Sequence, residues 1–139
     1  SAGGVKCVKM RFFFTVHTDN SMTTVKKSAG YSACYATEAF GAGAAVLALQ
    51  GPLLQQPTRE SIELGPGRHI VDPTGSFVNH HADPSTRVDQ QRQCLVALRP
   101  VQTGDEITFD YNLNETSMAA PFVTSDGTTV AGRQPFNVG

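Results

Sequence analysis

The chain has 139 residues, enough for one domain with a core of its own. Eleven Lys and Arg against 12 Asp and Glu give a formal charge of −1. That balance offers no electrostatic footprint for nucleic acid or an anionic membrane surface, and apolar runs such as residues 44–49 are far too short to span a bilayer.

In chain order, the predicted elements are short and β-type. "KCVKMRFFFTVHT" (6–18) is rich in β-branched and aromatic residues and predicts one or two strands. "TTVKKS" (23–28) predicts a short strand leading into "AGYSACYAT". "AAVLALQGPLL" (44–54) reads as a buried strand broken at Gly51-Pro52, and "RHIVD" (68–72) as a brief strand closed by Pro73-Thr74-Gly75. "CLVALRPVQTGDEITFDY" (94–111) predicts a strand, a turn at Thr103-Gly104 and a second, alternating strand. No stretch longer than ten residues keeps a helical period, and Gly41 and Gly43 argue against a helix over 36–44. From Asn112 the chain turns polar and glycine-rich, with isolated Phe122 and Phe136. That composition predicts a tail that docks on the rest.

Cys7, Cys34 and Cys94 are scattered, odd in number and never spaced as C-x-x-C. No disulfide framework is expected, which fits a reducing, intracellular setting, cytoplasmic or nuclear. The opening "SAGG" reads as a processed end, and no secretory leader is expected.

The densest polar cluster is "SFVNHHADPST" (76–86). Adjacent histidines on an extended segment point to opposite faces, so His80 and His81 are poorly placed to share one ion. His17 and His69 lie far off without a recognisable ligand spacing, and no metal site is expected. Neither a G-x-S-x-G elbow nor a phosphate-cradling glycine loop is present, and Asp83-Pro84 reads as a turn.

Two segments in order are more specific. "FVNHHADPST" followed by "GDEITFDYN" (104–112) resembles the two signature motifs of SET-domain protein lysine methyltransferases, typically F-x-N-H-S-C-x-P-N and G-E-E-L-T-x-D-Y. "GYSACYATEAFGAGAAVLALQGPLL" (30–54) is similar to that family's first block, and "NETSMAAPF" (114–122) to the segment before its cysteine-rich tail. The resemblance covers about residues 24–136 and is strongest over 77–84 and 104–111. It implies a mostly β, SET-domain (β-clip) fold of short strands in which the two signature motifs cross in a knot-like arrangement. Residues 1–23 would be flanking strands, 24–113 the SET core, and 114–139 a post-SET-like tail.

The resemblance further implies methyl transfer from S-adenosylmethionine to a lysine of a protein substrate. Neither nucleic acid nor membrane would be a direct partner. Tyr111 matches the family's catalytic tyrosine. Asn79 and His80 would hold the cofactor, partly through backbone groups, with Tyr31, Ser32 and Ala33 of the first block beside it. Tyr111, Phe109 and Phe77 are candidates for the lysine channel, although plain core is as good a reading of Phe109 and a better one of Phe77.

Three departures stand out. Tyr31 and Ala33 occupy the places of the first block's glycines, which let main chain approach the cofactor. The first signature reads N-H-H-A. The tail follows P-F-x-C-x-C-G-x-x-x-C-x-G without a cysteine, with Thr124, Asp126 and Val130 or Ala131 in the cysteine places. Together with Ala82, these are all four positions of the family's structural zinc, so no zinc is expected there. A SET-fold module that binds protein or ligand without catalysing is the alternative function.

Overall fold

The structure, a computed structural model, describes residues 22–133, and the strands expected over 6–18 lie outside them. The architecture is mostly β, with short strands in four small sheets. Thr23–Ser28 and Tyr31–Ala36 form a hairpin with full six-residue pairing. Thr23, Thr24 and Val25 suit a half-buried pleated surface, and Gly30 takes the turn at φ +75°, where a β-carbon would be strained.

Tyr31–Ala36 pairs on its other edge with Glu106–Phe109, antiparallel. Glu106–Phe109 in turn pairs in parallel with Asn79–His80, setting Thr108 opposite Asn79 and Phe109 opposite His80. The two signature segments are thus neighbouring strands of one four-stranded sheet. A parallel pair needs a long crossover, and the intervening chain supplies it with an antiparallel excursion, Thr86–Asp89 and Cys94–Ala97. Polar bonds tie the excursion back: Thr86 Oγ1 donates to Thr108 O at 2.7 Å, and Ser85 Oγ to Glu106 O at 3.0 Å.

The expected 44–54 strand is two strands in two sheets. Ala45–Ala48 pairs with Cys94–Ala97, whereas Leu53–Leu54 pairs with Arg68–Ile70. The break has a steric cause: a β-carbon on Gly51 would lie 1.9 Å from Val71 O. Arg68–Ile70 also pairs with Ile62–Gly65, a strand that the pattern of its own residues does not announce. Ile62, Glu63 and Leu64 are all buried, so the strand lacks the alternation of a half-exposed one.

The core joins the sheets through Val46, Leu47, Leu49, Ile70, Leu95 and Ile107, each at most 1% exposed. A fully buried side chain of this size contributes about 1.5–3 kcal/mol. Beneath the first signature, buried Asp72 accepts from Gln50 N, Thr74 N and Gly75 N at 2.6–2.8 Å. These bonds fix the 3-10 turn Gly75–Phe77 that delivers Val78, Asn79 and His80. After Glu106–Phe109, Asp110 caps a single helical turn, Tyr111–Asn114, by accepting from Asn112 N. The tail then forms its own hairpin, Phe122–Val123 with Thr129–Val130.

Candidate active site

Parallel pairing places the end of one signature beside the end of the other, and side chains lock the junction. His80 Nδ1 accepts the backbone N–H of Tyr111 at 3.0 Å and lies 3.7 Å from Asp110 Oδ1. Burial pulls the imidazole below its ordinary pKa, against the opposing pull of Asp110. A neutral ring is the form whose Nδ1 can accept. Asn79 Nδ2 donates to Ser32 O at 2.9 Å and to Glu106 Oε2 at 3.1 Å, while Tyr31 Oη donates to the same carboxylate at 2.9–3.0 Å. Glu106 is thus a hub joining the first block to both signatures, a role the sequence pattern alone does not reveal.

Tyr111 Oη donates to Val78 O at 2.6 Å. Burial above all, then the charges of Glu115 and Glu106, raises its pKa well above that of free tyrosine, so the phenol stays protonated. Its ring lies 4.8 Å from Phe109, 5.3 Å from His80 and 6.3 Å from Phe122.

Two cavities meet at this tyrosine. A cleft of about 830 Å³ is lined by Tyr31, Ser32, Phe77, Asn79, His80 and Tyr111, among others. A narrow cavity of about 30 Å³ is bounded by Ile62, Val78, Phe109, Tyr111, Glu115 and Met118, among others. Arg59, Glu60, Ser76, Tyr111, Met118 and Ala120 line both. The structure therefore brings Tyr31, Ser32, Asn79, His80 and Tyr111 to one cleft. Ala33 is fully buried in its strand and is absent from that lining. Phe109 is at once core and wall of the narrow cavity. Phe77 belongs to the larger cleft instead, where Lys27 Nζ lies 4.8 Å from its ring centre. Met118, Ala120 and Glu115 fall in the 114–122 segment that resembles the family's, but the resemblance gives none of them a role, because their place depends on how the chain folds back after the helical turn.

The tail closes over one side. Phe122 stands edge-on to His80 at 6.2 Å. Asn112 holds the hairpin, donating to Thr129 O and accepting from Ala131 N and Gly132 N. Of Ala82, Thr124, Asp126 and Val130, only Asp126 carries a strong ligating group. Its carboxylate takes hydrogen bonds from Thr124 and Thr128, which hold it down at a pKa of about 2. His81 is exposed and acts locally, its Nδ1 accepting from Asp83 N at 2.9 Å and so shaping the turn.

A SET-domain family model matches residues 11–112, and the chain belongs to that family. Comparison with curated proteins finds no relative that matches this sequence. Among the described residues no helix is long and apolar enough to cross a membrane.

Proposed function

We propose that the protein transfers a methyl group from S-adenosylmethionine to a lysine side chain of a protein substrate. The observation that carries this reading is the meeting of a wide cleft and a narrow cavity at the partly buried Tyr111. The cleft volume falls in the ordinary range for small-molecule sites, about 300–1,000 Å³. It is lined by a rim tyrosine, an asparagine and a neutral imidazole. That lining fits a ligand with an adenosine part and an amino-acid part, held by Tyr31, Ser32, Asn79 and His80. When bound, S-adenosylmethionine supplies a sulfonium-activated methyl group.

The residues of the chain supply position and dryness. A lysine amine with a reference pKa near 10.4 is about one part in a thousand neutral at pH 7.4. The narrow cavity, whose walls include Phe109 and Ile62 but also Arg59, Glu60 and Glu115, favours the neutral, nucleophilic form to the extent that it strips water from the amine. Tyr111 stays a neutral phenol, so no phenolate holds the amine in its charged state. Its hydroxyl, anchored on Val78 O, orients what enters.

A second reading, a SET-fold module that binds without catalysing, is favoured by Tyr31. This side chain stands in a glycine place of the family, lines the cleft and is tied to Glu106. Transfer of labelled methyl from S-adenosylmethionine to lysine-containing peptides separates the readings. The enzyme transfers label to lysine, and Tyr111→Phe lowers that rate about 100-fold or more while cofactor binding changes by less than threefold. Cofactor or peptide binding with no labelled lysine from any substrate pool would support the module.

A further inference from the structure

One side-chain cluster lies beside that chemistry and has no step assigned in it, although Glu115 also borders the narrow cavity. Glu63 and His69 are directly opposite each other across the antiparallel pair Ile62–Gly65 and Arg68–Ile70, so their side chains share a face. Glu115 reaches the same place from the segment after the helical turn, its Oε2 accepting Glu63 N at 3.0 Å. One potential ligand atom from each of the three lies within 4.8 Å of the others. The residues are buried, at 3%, 6% and 5% exposure respectively.

A separate observation points to a missing partner. His69 Nδ1 is buried without a hydrogen bond. Such an orphan ordinarily costs about 1–3 kcal/mol, and the other unmatched buried side-chain atoms among the described residues are two threonine hydroxyls. Around the cluster, donors hold the carboxylates in place. Thr116 N and Oγ1 bond Glu63 at 2.7 and 2.8 Å, and Asn114 Nδ2 bonds Glu115 at 2.7 Å. Arg133, half exposed, approaches Glu63 at 3.5 Å. Ligands oriented by outer hydrogen bonds characterise metal sites.

We propose that Glu63, His69 and Glu115 form a structural site for a divalent transition-metal ion, zinc foremost. One imidazole with two carboxylates suits zinc, manganese or cobalt, rather than the all-oxygen sets of calcium and magnesium. Metal–ligand bonds of about 2.0–2.2 Å at tetrahedral angles put ligand atoms of one ion about 3.3–3.6 Å apart, so from separations of up to 4.8 Å the three side chains close on an ion by drawing together by about 1 Å. The ion would clasp the 62–70 hairpin to the chain just beyond Tyr111. It would also reinforce the narrow cavity, whose walls include Ile62 and Glu115. It is independent of the methyl-transfer reading.

The test uses the full chain, stripped with a chelator and titrated with Zn²⁺ and with Co²⁺. The expected result is one ion per chain, a rise in melting temperature on loading, and a visible Co²⁺ spectrum. His69→Gln and Glu115→Gln, both near-isosteric, should each weaken binding at least tenfold, while His81→Gln leaves it unchanged. Absence of stoichiometric binding to the folded wild-type chain at millimolar zinc would overturn the proposal. Undiminished binding in both variants would overturn it too, by placing the ion elsewhere.

Discussion

Tyr111 is held at both ends: its N–H by His80 Nδ1 and its hydroxyl by Val78 O. His80 therefore does more than line a cofactor cleft, since its ring sets where the phenol stands. The arrangement has a pH signature. Burial lowers the His80 pKa in the folded state, so below the ordinary histidine value of about 6.5 the unfolded chain takes up more protons than the folded one. The stability it contributes is fully present above that value and is lost as pH falls toward the lowered folded pKa. His80→Asn, whose side-chain oxygen can still accept from Tyr111 N, removes this titration. Chemical denaturation between pH 5 and 8 should show wild type losing more stability on acidification than the variant. Parallel curves would show that the ring is not held as described.

At the level of elements, the tail hairpin is held by hydrogen bonds and packing. Asn112 ties down its far strand, Val130 is fully buried, and Gly132 crosses Glu115 so closely that a β-carbon would lie 2.7 Å from Glu115 O. Gly132 also sits at φ +98°. Gly132→Ala should destabilise the docked tail by about 1–3 kcal/mol, read as faster tryptic cleavage at Arg133 and a lower urea midpoint. Unchanged cleavage would mean that the tail is held by other contacts.

The strands at 23–28, 94–97 and 106–109 were legible because their residues favour strands and their ends carry turn signals. Ile62–Gly65 and Thr86–Asp89 were not, since one buries a glutamate in sequence with apolar neighbours and the other is short and polar. Both exist because neighbouring strands pair with them. The site divides in the same way. Motif spacing singled out Asn79, His80 and Tyr111, which the fold brings to one cleft, but the hub at Glu106 and the walls at Met118 and Ala120 depend on tertiary closure. Glu63, His69 and Glu115 come from segments whose spacing in the chain matches no ligand pattern.

Across the described residues, short sheets are wrapped so that the two signature strands lie side by side, with Asn79 and His80 from one and Tyr111 just beyond the other lining a cleft that Phe122 of the tail hairpin also borders. No strongly charged surface is needed for this arrangement, consistent with a net charge of −1, and the selectivity would lie in shape and dryness at Tyr111. The cleft beside Asn79 and His80 should accept S-adenosylmethionine despite Tyr31 at its rim. Titration calorimetry of the full chain with that cofactor tests it most directly. One molecule should bind per chain, and Ser32→Trp, which places an indole in the cleft, should weaken binding at least tenfold. No measurable binding at millimolar cofactor would contradict the account.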